Sequence, residues 1–162
     1  MPSQTCLLPL SDLAQALLAR GWMIATAESC TGGLIAASCT ELAGSSAWFD
    51  RAVVTYSNEA KAELLGVPPE LIAAHGAVSE PVARAMAEGV LQRSRAQMAV
   101  AVTGIAGPSG GTADKPVGTV WLAWAERGGV TQAVCQHFDG DRAAVRWATV
   151  RCALEGLLQR IR

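Results

Sequence analysis

Ala25-Thr26-Ala27-Glu28-Ser29-Cys30-Thr31-Gly32-Gly33 continues an apolar run that begins at Trp22. Residues 22–27 read as a strand, and beyond the two glycines Leu34, Ile35, Ala37 and Leu42 fall at helical spacing, predicting a helix over 31–42. A strand, a glycine turn and a helix start in succession bring a strand-end side chain and the unpaired N–H groups of the first helical turn to one point. Those N–H groups and the helix dipole favour negative charge. Ser29 is the side chain most nearly there, with Cys30 beside it and Thr31 placed to cap the helix. Two readings fit the stretch on its own. In one, Ser29 is a nucleophile at the mouth of an anion-stabilising turn, a layout suited to acyl transfer. In the other, the hydroxyls only cap the helix.

Two further strands end in the same kind of way. Residues 51–56, R-A-V-V-T-Y, are β-branched and aromatic, and Ser57 or Asn58 can cap a short helix over 59–65. Lys61 lies early in that helix, where the macrodipole is positive and pushes a lysine toward its neutral form. A general base needs that form, although an exposed and idle lysine fits the sequence too. Residues 96–103 are apolar on both faces, as in an internal strand, and run into the glycine-rich segment 104–111. In an open α/β sheet, ligands bind beyond the carboxyl ends of the strands. Ser29, Tyr56 and Thr103 all lie at or near such ends, so parallel neighbouring strands would bring the three together.

The remaining elements complete the pattern. Ser11 or Asp12 is expected to cap a first helix ending at Gly21, and Ser79 to cap a helix with the stripe Val82, Ala85, Met86 and Val90. Residues 117–125 and 130–138 read as a hairpin about Gly128-Gly129, and a last helix opens at Gly140-Asp141. Trp121 and Trp124 suit core packing or a stacking platform. Arg142 and Arg146, near the start of the last helix, suit a phosphate clamp or a solvated surface. Gly44-Ser45-Ser46 is a loop that also suits a phosphate-binding surface. The expectation is one domain over 1–162, a three-layer α/β/α arrangement with a mixed, mostly parallel central sheet.

Composition narrows the function. The chain has 162 residues, 51% hydrophobic and 17% charged, with net charge −1, so a long disordered segment and a basic nucleic-acid footprint are not expected. No apolar run approaches a membrane span, and the N-terminus lacks the charged start and apolar stretch of a leader, so a cytoplasmic protein is expected. Five cysteines, an odd number without a C-x-x-C pair, give neither a disulfide framework nor a zinc set. Only His75 and His137 are available to a Ser-His triad. Neither G-x-x-x-x-G-K-[ST] nor G-x-G-x-x-G occurs, so the common nucleotide-binding signatures are missing.

Read together, T-A-E-S-C-T-G-G (26–33), V-T-Y-S-N-E-A-K (54–61), T-G-I-A-G-P (103–108) and K-P-V-G-T-V (115–120) resemble the CinA C-terminal domain family. G-S-S-A-W-F (44–49) and H-G-A-V-S-E (75–80) fit as well, so the resemblance covers nearly the whole chain. It is to the stand-alone form, because two-domain members carry an additional N-terminal pyrophosphatase-type domain.

The resemblance implies hydrolysis of the carboxamide of nicotinamide mononucleotide, giving nicotinic acid mononucleotide and ammonia, with no metal or cofactor. It places the family's nucleophile on Ser29, its lysine on Lys61, its tyrosine on Tyr56 and its threonine on Thr103. The oxyanion is then expected at the backbone of Cys30, Thr31, Gly32 and Gly33. The rest of the nucleotide is expected on Ser45, Asn58, Gly104, Ala106, Gly107 and Arg142. Two rivals stand beside this: a cysteine amidase using Cys30, and a non-catalytic nucleotide-binding or interaction domain. A homodimer is expected from the high apolar content, the surface tryptophans and the resemblance.

Overall fold

The computed structural model describes residues 8–162; Cys6 and the N-terminal stretch assessed as a leader lie outside them. The elements, in chain order, are α1 (Leu10–Arg20), β1 (Ile24–Glu28), α2 (Leu34–Thr40), a 3-10 turn (Ser45–Ala47), β2 (Phe49–Val54), α3 (Asn58–Leu65) and α4 (Pro69–His75). There follow α5 (Glu80–Gln92), β3 (Met98–Gly104), β4 (Thr119–Glu126), β5 (Gln132–His137) and α6 (Arg142–Ile161).

The five strands form one sheet in the order β2-β1-β3-β4-β5. β2, β1 and β3 are parallel, β4 is antiparallel to β3, and β5 is antiparallel to β4. Four strands therefore run one way and β4 alone runs back, as the short hairpin about Gly128 requires. From β1 the chain crosses through α2 to β2 on one side, then through α3, α4 and α5 to β3 on the other. β1 is thus the point where the winding reverses, and the crevice beyond its carboxyl end is where such sheets bind ligands.

Side-chain size divides the two faces of the sheet. One face carries Ile24, Met98, Val100, Val102, Val120, Leu122 and Trp124, packed with α1, α2 and α6. The other carries Ala25, Ala27, Ala99, Ala101, Ala123 and Ala125, packed against Val82, Ala83, Met86, Ala87 and Val90 of α5. Strict alternation along each strand separates the sets, because successive side chains point to opposite faces. The bulky face fills the space under a long helix, and the alanine face allows α5 to pack across β1, β3 and β4.

Several local expectations change. α1 starts after Pro9, with no side-chain cap, and Ser11 and Asp12 lie inside its first turn. Gly21 ends it with φ 66°, as expected of a left-handed cap. Ser57 caps α3, its Oγ accepting from Ala60 N at 3.0 Å. Ser79 occupies the cap position of α5, but its hydroxyl donates to Gly76 O at 2.7 Å instead. No tryptophan is exposed: Trp48 and Trp124 are buried, and Trp22, Trp121 and Trp147 are half-buried. Trp124 is a core residue whose Nε1 donates to Ala153 O at 3.0 Å, so it is not a stacking platform. Among the described residues no helix is long and apolar enough to cross a membrane.

Candidate active site

Register brings the site together. Glu28, the last residue of β1, is level with Val54 of β2 and Val102 of β3. The next residues along the three strands therefore emerge side by side. The alignment is held past the strand ends, where Thr55 N donates to Glu28 O at 2.9 Å and Ser29 N to Val102 O at 3.1 Å. Beyond them lies a cavity of about 180 Å³, lined in part by Ser29, Cys30, Tyr56, Lys61, Thr103 and Arg142. Asn58, Ala77, Val78, Gly104 and Ala106 complete its wall. No Asp, Glu or His contributes to this lining.

Lys61 reaches the cavity from α3. The Lys61 side chain is buried, with 1% of its surface exposed, and its Nζ lies 3.0 Å from Ser29 Oγ. The same nitrogen donates to Thr55 O at 2.8 Å and to Tyr56 O at 3.3 Å. A neutral amine has two N–H bonds and one lone pair. The two carbonyls take the N–H bonds, and the lone pair is left for the Ser29 hydroxyl. No carboxylate pairs with Lys61 among the described residues. Burial holds its pKa below the ordinary 10.5, with only Cys30 acting in the opposite sense. Of the two causes the sequence suggests for such a shift, the helix dipole and partial desolvation, desolvation is the one that the surroundings supply.

Glu28 is the residue that sequence reasoning missed. It is fully buried, and its carboxylate accepts from Ile35 N at 2.9 Å, Ala36 N at 3.0 Å and Thr31 Oγ1 at 2.6 Å. The helix α2 is thus capped by Glu28, not by Thr31, and its N-cap residue is Gly33 at φ 105°. The signal was available: a carboxylate closing an otherwise apolar strand must find donors, and the nearest are the free amides of the next helix. One consequence is that α2's first amides are already satisfied by an internal anion.

The turn between them, residues 29–32, is closed by Gly32 N donating to Ser29 O at 3.0 Å. The amides of its central residues, Cys30 and Thr31, donate to no backbone carbonyl among the described residues. Cys30 is also buried, and burial pushes its thiol up to about 11, so it is protonated at neutral pH. That is the wrong state for a nucleophilic cysteine.

The other expected site residues separate. Thr103 lines the cavity, with its Oγ1 donating to Ala77 O at 3.0 Å, not to Lys61. Tyr56 is 62% exposed at the rim, where its hydroxyl accepts from Arg142 Nη2 at 3.2 Å. Arg142 Nη1 donates to Gly107 O at 2.8 Å, tying α6 to the glycine-rich segment. Arg146 turns instead toward the carbonyls of Cys30 and Thr31. Gly104 forms part of the floor, where an added Cβ would meet Val120 Cγ2 at 2.7 Å and Thr119 O at 3.0 Å. Ser45 lies outside the cavity, ahead of β2 and so toward the amino ends of the parallel strands. His75 closes α4 and does not line the cavity. A larger depression of about 390 Å³ between α3 and α4 shares Asn58 with the site but is otherwise lined by Glu59, Ala62, Glu63, Pro69, Ile72 and Ala73, without a nucleophile. Among the described residues no group of three or more His, Cys, Asp or Glu is placed to hold a metal ion.

A hydroxyl beside a buried amine with no carboxylate partner, next to a turn whose central amides donate to no backbone carbonyl, suits acyl transfer. The chain is 56% identical over 156 residues to the nicotinamide-nucleotide amidohydrolase PncC of Escherichia coli, covering 94% of this chain and 93% of that one. It is 55% identical over 136 residues to the protein of the same name from Pseudomonas putida, covering 84% of each. A crystal structure of a competence-damaged protein (CinA) superfamily protein from Klebsiella pneumoniae superposes with a TM-score of 0.92 at 42% identity, covering 98% of both chains. With the CinA C-terminal domain model matching residues 9–161, the chain belongs to the CinA C-terminal domain family.

Proposed function

We propose that the protein hydrolyses the carboxamide of nicotinamide mononucleotide, releasing ammonia and nicotinic acid mononucleotide, with Ser29 as nucleophile and Lys61 as general base. The observation that carries the reading is the 3.0 Å approach of a buried, unpaired lysine amine to Ser29 Oγ. The names borne by relatives at 55–56% identity supply the substrate.

Neutral Lys61 takes the hydroxyl proton as Ser29 Oγ attacks the amide carbon. Negative charge develops on the amide oxygen and is received by the amides of Cys30 and Thr31. The lysine, now an ammonium, returns the proton to the departing nitrogen, and the C–N bond breaks to give ammonia and an ester on Ser29. A water molecule, deprotonated by the same amine, cleaves the ester. Tyr56 is the sole aromatic on the cavity wall, so its ring is the surface for the cationic pyridinium. Arg142, with the segment 104–107 that it grips, takes the phosphate. Thr103 holds Ala77 and shapes the wall, and Ser45 has no part in the reading. In the same reading the protein is a cytoplasmic homodimer, which sedimentation of the purified chain would test.

The experiment is an ammonia-release assay with nicotinamide mononucleotide, comparing the native chain with Ser29→Ala. The reading requires stoichiometric ammonia and nicotinic acid mononucleotide, lost in the variant. Binding without turnover would make the protein a nucleotide-binding module.

A further inference from the structure

Arg146 does work that neither the site lining nor the sequence assigns to it. It sits on α6 one turn after Arg142, but the two arginines serve different partners. Arg142 lines the cavity, whereas Arg146 Nε donates to Cys30 O at 3.1 Å and its Nη2 to Thr31 O at 3.0 Å. Cys30 and Thr31 are the two central residues of the turn that carries Ser29.

Peptide planarity makes this grip consequential. In a trans peptide the carbonyl of one residue and the N–H of the next point in opposite directions. Holding Cys30 C=O on Arg146 fixes the direction of Thr31 N–H. The bond from Gly32 N to Ser29 O fixes Cys30 N–H in the same way. From residue 30 to residue 36, the amides of Cys30, Thr31 and Gly33 donate to no backbone carbonyl, whereas those of Ile35 and Ala36 are already engaged by Glu28. The helix terminus is therefore spent on a carboxylate, and stabilisation of a developing oxyanion falls to the turn.

We propose that Arg146 is a positioning residue for acyl transfer, holding the carbonyls of Cys30 and Thr31 so that the turn amides face the oxyanion. This rests on the reading of Ser29 as an acylated nucleophile, but not on the identity of the substrate. A planar fork suits the task, because it holds two carbonyls in one fixed geometry and an ammonium does not.

The test uses Arg146→Gln and Arg146→Lys in the full chain, with two substrates. One is nicotinamide mononucleotide. The other is p-nitrophenyl acetate, which asks for no nucleotide recognition. There the Ser29 Oγ–acetyl bond forms, the aryl ester bond breaks, the hydroxyl proton passes to Lys61 and p-nitrophenolate leaves. The expected result is two folded variants by thermal melt, with kcat and the acetylation rate each down about 30- to 300-fold for Gln and less for Lys. KM for the nucleotide should stay within about threefold, as for an interaction made only in the transition state. Either rate within about threefold of the native chain in a folded Gln variant would overturn the proposal, as would a loss carried by KM alone. Failure of both variants to fold would also overturn it, by making Arg146 a purely structural residue. A native chain acetylated by the ester but inert toward the nucleotide would refute the substrate and leave the acetylation rates to decide on Arg146. A native chain inert toward both the ester and the nucleotide would refute both.

Discussion

Lys61 Nζ and Ser29 Oγ lie 3.0 Å apart although 32 residues separate them in the chain. Neither residue could be placed there alone. Ser29 follows the end of β1, Lys61 is one turn into α3, and the parallel pairing of β1 with β2 sets the strand ends level. A buried amine without a carboxylate is costly to fold, so its retention beside a hydroxyl points to chemistry.

Removal of either partner should abolish turnover. Ser29→Ala and Lys61→Met are each expected to lower kcat for nicotinamide mononucleotide by about 10³-fold or more, and the double variant by little beyond that. Nucleophile and base act as a unit, so additive losses in the double variant, measured by ammonia release, would contradict the pairing.

Stability should respond to Lys61 in the opposite direction from activity. Its folded pKa lies below the ordinary 10.5 because of burial. Between the two values the unfolded chain binds more protons, so native stability rises with pH through that window. Below the window the penalty is fully present, and above 10.5 it is gone. Urea unfolding at a series of pH values should show this rise in the native chain and a flatter line in Lys61→Met, which should be the more stable of the two at neutral pH. Parallel curves would show that Lys61 carries no penalty. The rate of ammonia release should climb with pH over the same window as the amine loses its proton.

Glu28→Ala should lose about 2–3 kcal/mol of stability, since the amides of Ile35 and Ala36 and the Thr31 hydroxyl lose their acceptor in a buried place. Activity should fall with it, because the same carboxylate ties Thr31 of the nucleophile turn and the start of α2 to the end of β1. A Glu28→Ala protein with native stability by urea unfolding would contradict its role as the cap of α2.

Arg142→Ala should act on binding. Loss of the guanidinium from the cavity rim is expected to raise KM for the nucleotide about 10- to 100-fold with a smaller effect on kcat. For a substrate lacking the phosphate, such as nicotinamide riboside, the native chain and the variant should differ little. Equal losses on both substrates would remove the phosphate from Arg142.

How much of this was legible in the letters depends on whether a residue's role is local or spatial. Ser29, Tyr56 and Thr103 were readable as converging, because strand ends followed by glycine or by a cap are local signals and parallel pairing does the rest. Position alone narrowed the cap of α3 to Ser57 or Asn58, and the fold uses Ser57. Thr31 was not, because its competitor for the amides of α2, Glu28, lies at the end of the preceding strand and reaches them only once the turn has folded. Arg142 and Arg146 look alike in sequence, four residues apart on one helix, yet one lines the cavity and the other donates to the carbonyls of the turn. The tryptophans looked available for a surface, yet the long α6 and the bulky face of the sheet enclose Trp124. Ser45 carried a phosphate-loop composition, and nothing local told which edge of the sheet it would occupy.

The charge state of Lys61 is the point on which the account turns, and it can be observed without substrate. Protein carrying carbon-13 at lysine Cε, titrated by NMR, should show the Lys61 resonance, assigned through Lys61→Met, changing at a pH below the 10.5 of an ordinary lysine. A midpoint at or above 10.5 would mean a permanently charged ammonium beside Ser29, and the base would have to be sought elsewhere.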